Sequence, residues 1–210
     1  MKQKICYVIG AGENYGLDFC PKPDDYVIAA DGGLKYLEQC SIKPDLVIGD
    51  FDTLKYIPQQ PNVIQLNPQK DETDMFAAVS QGIQLGYKEF HIFCGTGGRV
   101  DHSFANIQML ANLANRQMRG FLIGRNSVLT VIKDSEYIFE SSYTGYVSIF
   151  SISEKSTGVY LENLKYELNN AELSNDFPLG VSNEFIGIEG KIKVENGMLL
   201  IVFPRKELGK

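Results

Sequence analysis

Leu46-Val-Ile-Gly-Asp-Phe-Asp-Thr53 joins a short apolar run to a glycine and then to two carboxylates, Asp50 and Asp52. A run this short, closed by glycine, reads as a buried strand of a parallel sheet. The chain leaves such a strand at its carboxyl end, where open α/β sheets place their ligands. Two carboxylates so close repel each other unless a cation lies between them, and an oxygen-only cluster suits a hard ion such as Mg²⁺ with bound phosphate. Taken alone, the pair also fits an acidic solvated turn, because Asp-x-Asp is a weak motif.

The same pattern recurs on both sides. Lys4-Ile-Cys-Tyr-Val-Ile9 reads as a strand broken by Gly10-Ala-Gly12. The next glycine, Gly16, is followed by no clear amphipathic helix, so this is a turn that lets a ligand approach rather than a dinucleotide fingerprint. Tyr26-Val-Ile-Ala-Ala30 runs into Asp31-Gly-Gly33, and a helix carrying Leu34 and Leu37 is expected to end near Cys40, before Pro44. Val63 to Leu66 is followed by Asn67-Pro-Gln-Lys-Asp-Glu-Thr-Asp74, then by Met75, Phe76, Val79 and Ile83 at helical spacing, with Gly86 as the stop. Capping and the helix dipole explain one or two acids at that helix start, whereas Asp71, Thr73 and Asp74 following a lysine suggest more than a cap. Glu89-Phe-His-Ile-Phe-Cys94 leads into Gly95-Thr-Gly-Gly-Arg-Val-Asp-His102 and a helix with Phe104, Ile107, Leu110, Ala114 and Met118 on one face. A glycine-rich loop opening a helix exposes backbone N–H groups to phosphate, and Arg99 adds a planar fork suited to phosphate oxygens. No lysine followed by Ser or Thr is present there, so the loop is not a Walker A motif. His102 has both a catalytic and a structural reading, of which the hydrogen-bonded structural one is preferred near a helix start, and His91, inside a strand, reads as structural.

Beyond Ile123 the character changes. Thr, Ser, Tyr, Val and Ile alternate from Ser127 onward, and Asn196-Gly197 between Lys191–Glu195 and Met198–Phe203 signals a β-hairpin. The expected fold is therefore α/β: an N-terminal Rossmann-like domain with a parallel sheet over residues 1–126, then a C-terminal all-β sandwich or barrel over 127–210. A chain of 210 residues with 44% hydrophobic content has room for two cores. No membrane span or signal-peptide core is apparent, so the expectation is a cytoplasmic protein with no membrane partner. A net charge of -6 and a pI near 5.0 argue against nucleic acid as partner. Cys6, Cys20, Cys40 and Cys94 form no C-x-x-C pair, Cys6 and Cys94 lie inside apolar runs, and buried free thiols are expected rather than a disulfide or zinc site.

In a parallel sheet, residues just past several strands converge on one edge, which would gather Asp31, Asp50, Asp52, Asp71, Asp74, Arg99 and Asp101 in one crevice. Carboxylates for Mg²⁺, an arginine and backbone donors for phosphate oxygens are what phosphoryl-type transfer requires. A two-metal phosphoesterase would use the same acids on water, and a non-catalytic nucleotide sensor would need fewer of them.

Asp31-Gly-Gly33, Gly49-Asp-Phe-Asp-Thr53, Lys70-Asp-Glu-Thr-Asp74 and Gly97-Gly-Arg-Val-Asp-His102, in that order and spacing, resemble the thiamine pyrophosphokinase family. The resemblance continues through Leu164-Lys-Tyr-Glu-Leu168, Asn170-Ala-Glu-Leu173 and Gly180-Val-Ser-Asn-Glu-Phe185. It implies an α/β domain for ATP and Mg²⁺, a β domain that helps bind thiamine, and a homodimer with active sites between subunits. The implied reaction moves the β,γ-pyrophosphate of ATP onto the thiamine hydroxyl, giving thiamine diphosphate and AMP. By motif match, Asp50, Asp52 and Asp74 are the implied metal ligands, with Asp31 close by. Asp71, Thr73, Arg99 and Asp101 are the implied nucleotide and phosphate contacts, and the catalytic set is Asp50, Asp52, Asp74, Arg99 and Asp101. Ser182 and Asn183 match the thiamine-contacting pair. The chain departs from animal members in having no tryptophan, with Ile201 or its neighbours in the comparable region, and Lys70 stands where some relatives have glutamine.

Overall fold

The apolar runs that end in glycine or aspartate fold as parallel strands. The computed structural model describes residues 4–206, which fall into two compact units: residues 4–109 with 120–125, and residues 110–119 with 126–206. The expected division at residues 126 and 127 follows chain order, whereas this division interleaves the two.

In the first unit, β1 (Ile5–Ile9), β2 (Tyr26–Ala30), β3 (Leu46–Gly49), β4 (Val63–Gln65) and β5 (Glu89–Phe93) are joined by parallel ladders, and β6 (Arg119–Ile123) adds to them. The order is β6-β5-β1-β2-β3-β4, so β1 has β2 on one side and β5 on the other. Such a reversal of strand order opens a crevice at the strand ends. Register aligns those ends: Ile9 pairs with both Ala29 and Phe93, and Ala30 pairs with Ile48. One core lies under α1 (Gly33–Gln39), where Leu34 and Leu37 pack with Tyr7, Ile9, Val27, Ala29 and Val47. Gly82 of α2 (Asp74–Gln84) allows close packing, since a Cβ there would lie 2.6 Å from Phe90 and 2.8 Å from Cys6 Sγ. That helix stops as expected: Gly86 takes φ +86, with Gly86 N–H bonded to Ile83 O and Tyr87 N–H to Gly82 O.

Helix α3 (Val100–Asn115) buries part of the face expected of it, at Leu110 and Ala114. Asn106, Met109, Leu110, Leu113 and Ala114 are buried, whereas Phe104 is 61% exposed and Met118 lies beyond the helix end. Apolar residues occur on more than one side of this helix, so spacing alone placed the buried stripe only in part.

The second unit holds two antiparallel sheets. One has β12 (Gly180–Glu184), β9 (Tyr146–Ser151), β14 (Met198–Pro204) and β7 (Ser127–Lys133), in that order. The other has β11 (Leu168–Ser174), β10 (Lys155–Glu162), β13 (Gly190–Lys193) and β8 (Glu136–Phe139). Phe139 is fully buried and meets Phe203, Phe185 and Tyr143 edge-on, so aromatic side chains from both sheets share this core. The expected hairpin at Asn196-Gly197 does not form. The flanking strands β13 and β14 belong to different sheets, and Gly197 N–H donates instead to Asp134 Oδ1. Asn-Gly supplies the backbone freedom for a reversal, but tertiary packing decides the partners. None of the four cysteines is in a disulfide; Cys6 and Cys94 are buried as expected, whereas Cys20 and Cys40 are exposed because they lie outside the apolar strands, and burial pushes the Cys6 thiol up to about 12, which leaves it unreactive. Among the described residues, no helix is long and apolar enough to cross a membrane.

Candidate active site

Three strands of the first unit are followed within two residues by a non-glycine residue at positive φ: Asp31 at 45°, Phe51 at 63° and Cys94 at 54°. Such backbone is costly for a side chain with bulk at Cβ and collects at functional sites. Asp31 is fixed by its N–H, which donates to Ile48 O at 2.8 Å. Gly49 makes room for it, because a Cβ there would lie 3.0 Å from the Asp31 Cα. Phe51 is 3% exposed and anchored in the core, so Asp50 and Asp52 flank a fixed ring. The Asp52 N–H closes the turn onto Asp50 Oδ1 at 3.2 Å.

These constraints bring one carboxylate oxygen from each of Asp31, Asp50 and Asp52 within 4.8 Å of one another. Asp31 is 5% exposed, and its Oδ1 has no hydrogen-bond partner. A buried carboxylate oxygen left bare is expensive, and a hard cation would satisfy it. The residues present therefore fit Mg²⁺. Sequence reading put Asp74 in this group with Asp31 beside it; the structure draws Asp31 into the tight set and places Asp74 across Lys70. Lys70 Nζ lies 3.2 Å from Asp50 Oδ2 and 2.9 Å from Asp74 Oδ1. Burial pushes the Asp50 carboxyl up, but the Asp52 N–H and the Lys70 ammonium outweigh it and hold Asp50 below the usual carboxylate value. For Asp74 burial wins over Lys70, with the Asp50 and Asp31 charges adding to the rise. Burial likewise opposes the charge on Lys70, yet its two aspartates hold the ammonium above its ordinary value.

The glycine segments face this acidic edge. Gly12 N–H donates to Cys94 O at 2.8 Å, and a Cβ on Gly12 would lie 2.5 Å from that oxygen, so only glycine lets the two loops touch. Asn106 Nδ2 donates to Gly95 O at 2.7 Å and ties the loop to α3, while Tyr36 Oη donates to Gly12 O. Asp31, Asp50, Asp52, Lys70, Asp74 and Arg99 line a cavity of about 650 Å³, as does Thr73. Thr73 also caps α2, accepting from Phe76 N–H at 3.2 Å. Asp71 and Asp101 lie outside the lining. Asp101 instead pairs with Arg99 through both carboxylate oxygens, at 3.2 and 2.6 Å. That pairing holds Arg99 above and Asp101 below their ordinary values.

Sequence reading missed Asn106 and Tyr36 and gave Lys70 no ionic role. Asn106 carried a signal, an amide nearly two turns into α3 beside apolar residues; Tyr36 carried none. In the second unit, Ser182 is exposed at φ 59, with its N–H donating to Ser148 Oγ. Asn183 is 3% exposed and turned inward. Its Oδ1 accepts from Tyr166 N–H at 3.0 Å and Glu184 N–H at 2.8 Å, and its Nδ2 donates to Tyr166 O at 2.7 Å.

The chain is similar to known proteins over most of its length. A model of the thiamin pyrophosphokinase catalytic domain matches residues 21–122, and one of the thiamin pyrophosphokinase vitamin B1 binding domain matches residues 130–199. The chain is 28% identical over 207 residues to a thiamine pyrophosphokinase of Bacillus subtilis (strain 168), covering 94% of this chain and 97% of that protein. It is 27% identical over 190 residues to thiamin pyrophosphokinase 1 of Caenorhabditis elegans, covering 84% and 78%. The crystal structure of thiamine pyrophosphokinase from Bacillus subtilis superposes with a TM-score of 0.83 at 26% identity, covering 98% of this chain and all 100% of that one.

Proposed function

This chain belongs to the thiamine pyrophosphokinase family, and on that premise we propose how its residues divide the transfer of pyrophosphate from ATP to the thiamine hydroxyl. The observation that carries the assignment is the convergence of Asp31, Asp50 and Asp52 within 4.8 Å beside a glycine-rich helix start. These three hold Mg²⁺, with Asp74 on the far side of Lys70 completing the acidic wall. Bound there, the cation offsets charge on the pyrophosphate oxygens and orients them. The Gly95–Gly98 backbone and the start of α3 receive phosphate oxygens through N–H groups. Arg99 and Asp101 work as a pair in which the arginine moves to phosphate, and Asp71 and Thr73 approach the nucleotide from the start of α2. Residues 1–126 carry the nucleotide and metal in a Rossmann-like domain; residues 127–210 carry thiamine in a β-sandwich. The ranges of the two family matches support that division. The same reading takes the active form as a cytoplasmic homodimer, which sedimentation velocity would check. Product analysis tests the function: AMP and thiamine diphosphate formed together, and only with thiamine present, are expected. AMP or ADP without thiamine would make the site a phosphoesterase.

Arg99 and Asp101 are 72% and 64% exposed, and so open a pair is worth little and is easily given up for a phosphate. Lysine at position 99 keeps the charge but loses the planar fork, so Arg99→Lys is expected to lower kcat roughly tenfold or more. An unchanged kcat in steady-state assays would leave Arg99 with only a loop-supporting role.

Ser182 and Asn183 serve thiamine by different means. The exposed Ser182 hydroxyl is offered to the vitamin directly, so Ser182→Ala should raise KM for thiamine and leave KM for ATP unchanged. Asn183 acts through the Tyr166 backbone. Asn183→Ala removes the side-chain partner of the Tyr166 and Glu184 N–H groups and of the Tyr166 carbonyl, three part-buried hydrogen bonds, at about 1–3 kcal/mol in stability, and raises the thiamine KM as a consequence. Equal losses for both substrates in the Ser182 variant would move the vitamin elsewhere.

A further inference from the structure

Lys70 lines the acidic crevice and has no part in the transfer chemistry above. Its Nζ bridges Asp50 and Asp74 at 3.2 and 2.9 Å, and the side chains of Lys70, Asp50 and Asp74 are only 16%, 15% and 22% exposed. The contact is shielded from water, unlike that of Arg99, and a shielded ion pair is screened far less than a surface one. Asp50 belongs both to this bridge and to the three-carboxylate group. A divalent ion entering that group would sit next to an ammonium that already neutralises one of its ligands, and the two positive charges repel.

We propose that Lys70 is a built-in counter-ion: in the metal-free protein its ammonium neutralises Asp50 and Asp74 in competition with the cation, and it turns to a nucleotide phosphate oxygen when cation and ATP arrive together. This rests on the reading that Asp31, Asp50 and Asp52 hold the cation. The residue suits the task. An ammonium on a four-carbon stem has three donors and can swing between carboxylate and phosphate without a fixed plane. In its first position it keeps four carboxylates, Asp31, Asp50, Asp52 and Asp74, from repelling one another without a metal. In its second it adds a contact that exists only when nucleotide is bound. Metal therefore binds weakly to the free protein and strongly with ATP, which makes the two bind as a unit.

The test is Mn²⁺ binding to the full chain, followed by the loss of free-ion paramagnetic resonance signal, with and without a non-hydrolysable ATP analogue. Lys70→Met keeps the length of the side chain and removes its charge. Without nucleotide it should bind Mn²⁺ about tenfold more tightly than wild type, melt at lower temperature in EDTA, and show a smaller gain in metal affinity on adding the analogue. Lys70→Arg, which keeps the charge, should bind metal as wild type does. Metal affinity that is unchanged or weaker in Lys70→Met overturns the proposal. Asp52→Asn in the same titration separates this from the underlying reading: weakened binding there upholds the carboxylate site, whereas unchanged binding removes that site and the proposal with it.

Discussion

Asp52→Asn is expected to abolish thiamine diphosphate formation while the protein remains folded, and Asp50→Asn to do the same. Asp52 is exposed and its Oδ1 accepts only from Thr53 Oγ1, at 3.1 Å, so an amide in its place disturbs no packing. The substitution removes a negative charge from a group whose three carboxylate oxygens lie within 4.8 Å. An amide oxygen can still touch a cation but cannot offset its charge, and a loss of transfer rate of at least about a thousandfold is expected. Position 50 adds a second consequence. Asparagine can still accept from the Asp52 N–H, but Lys70 keeps only Asp74 as an ionic partner. Both variants should be assayed over a range of Mg²⁺ with circular dichroism on the same samples. Native spectra with lost turnover fit the account, and near-normal rates at low Mg²⁺ would refute the metal assignment.

The largest effect on stability is expected at Gly33, where α1 starts against the end of β1. A Cβ there would lie 2.0 Å from Ile9 O and 2.9 Å from Gly10 O. Both are backbone atoms that cannot rotate away, so Gly33→Ala must push the helix off the strand. Because Gly10 and Asp31 line the cavity, that displacement reaches the site as well. A cost of roughly 3 kcal/mol or more is expected, seen as a fall of roughly 6–12 °C in melting temperature. Gly86→Ala is the control. Gly86 has nothing within 4 Å of its Cβ position and only a positive φ of +86° to oppose a side chain, so the cost there should stay near 1–2 kcal/mol. Equal melting temperatures for the two variants would mean that the β1–α1 contact yields without cost.

How much of this was legible in the sequence depends on the range of the interaction. The parallel strands and α1 and α2 were readable because each is a local apolar pattern closed by a glycine, a proline or a cap. The crevice followed from topology, since residues just past β2, β3 and β5 must meet wherever those strands run side by side. Which carboxylates pack tightly was not readable. That depends on Gly49 giving way to the Asp31 backbone and on Phe51 being held at positive φ, and neither leaves a trace in spacing. The Asn196-Gly197 turn failed as a hairpin because partner choice is settled by residues far along the chain, such as Asp134 and Thr157. Helix α3 was read correctly at Leu110 and Ala114 but not at Phe104 or Met118, because more than one apolar stripe fits the period. Asn183 was found by motif, but only the fold reveals that its amide holds the Tyr166 backbone.

The central claim is that Asp31, Asp50 and Asp52 form the cation site at the carboxyl edge of the parallel strands. Anomalous scattering from crystals grown with Mn²⁺ and a non-hydrolysable ATP analogue tests it most directly. The account predicts a manganese peak at coordination distance from all three carboxylates, with phosphate oxygens completing its shell beside Gly95–Gly98. A peak held by other residues, with these three carboxylates left unliganded, would contradict it.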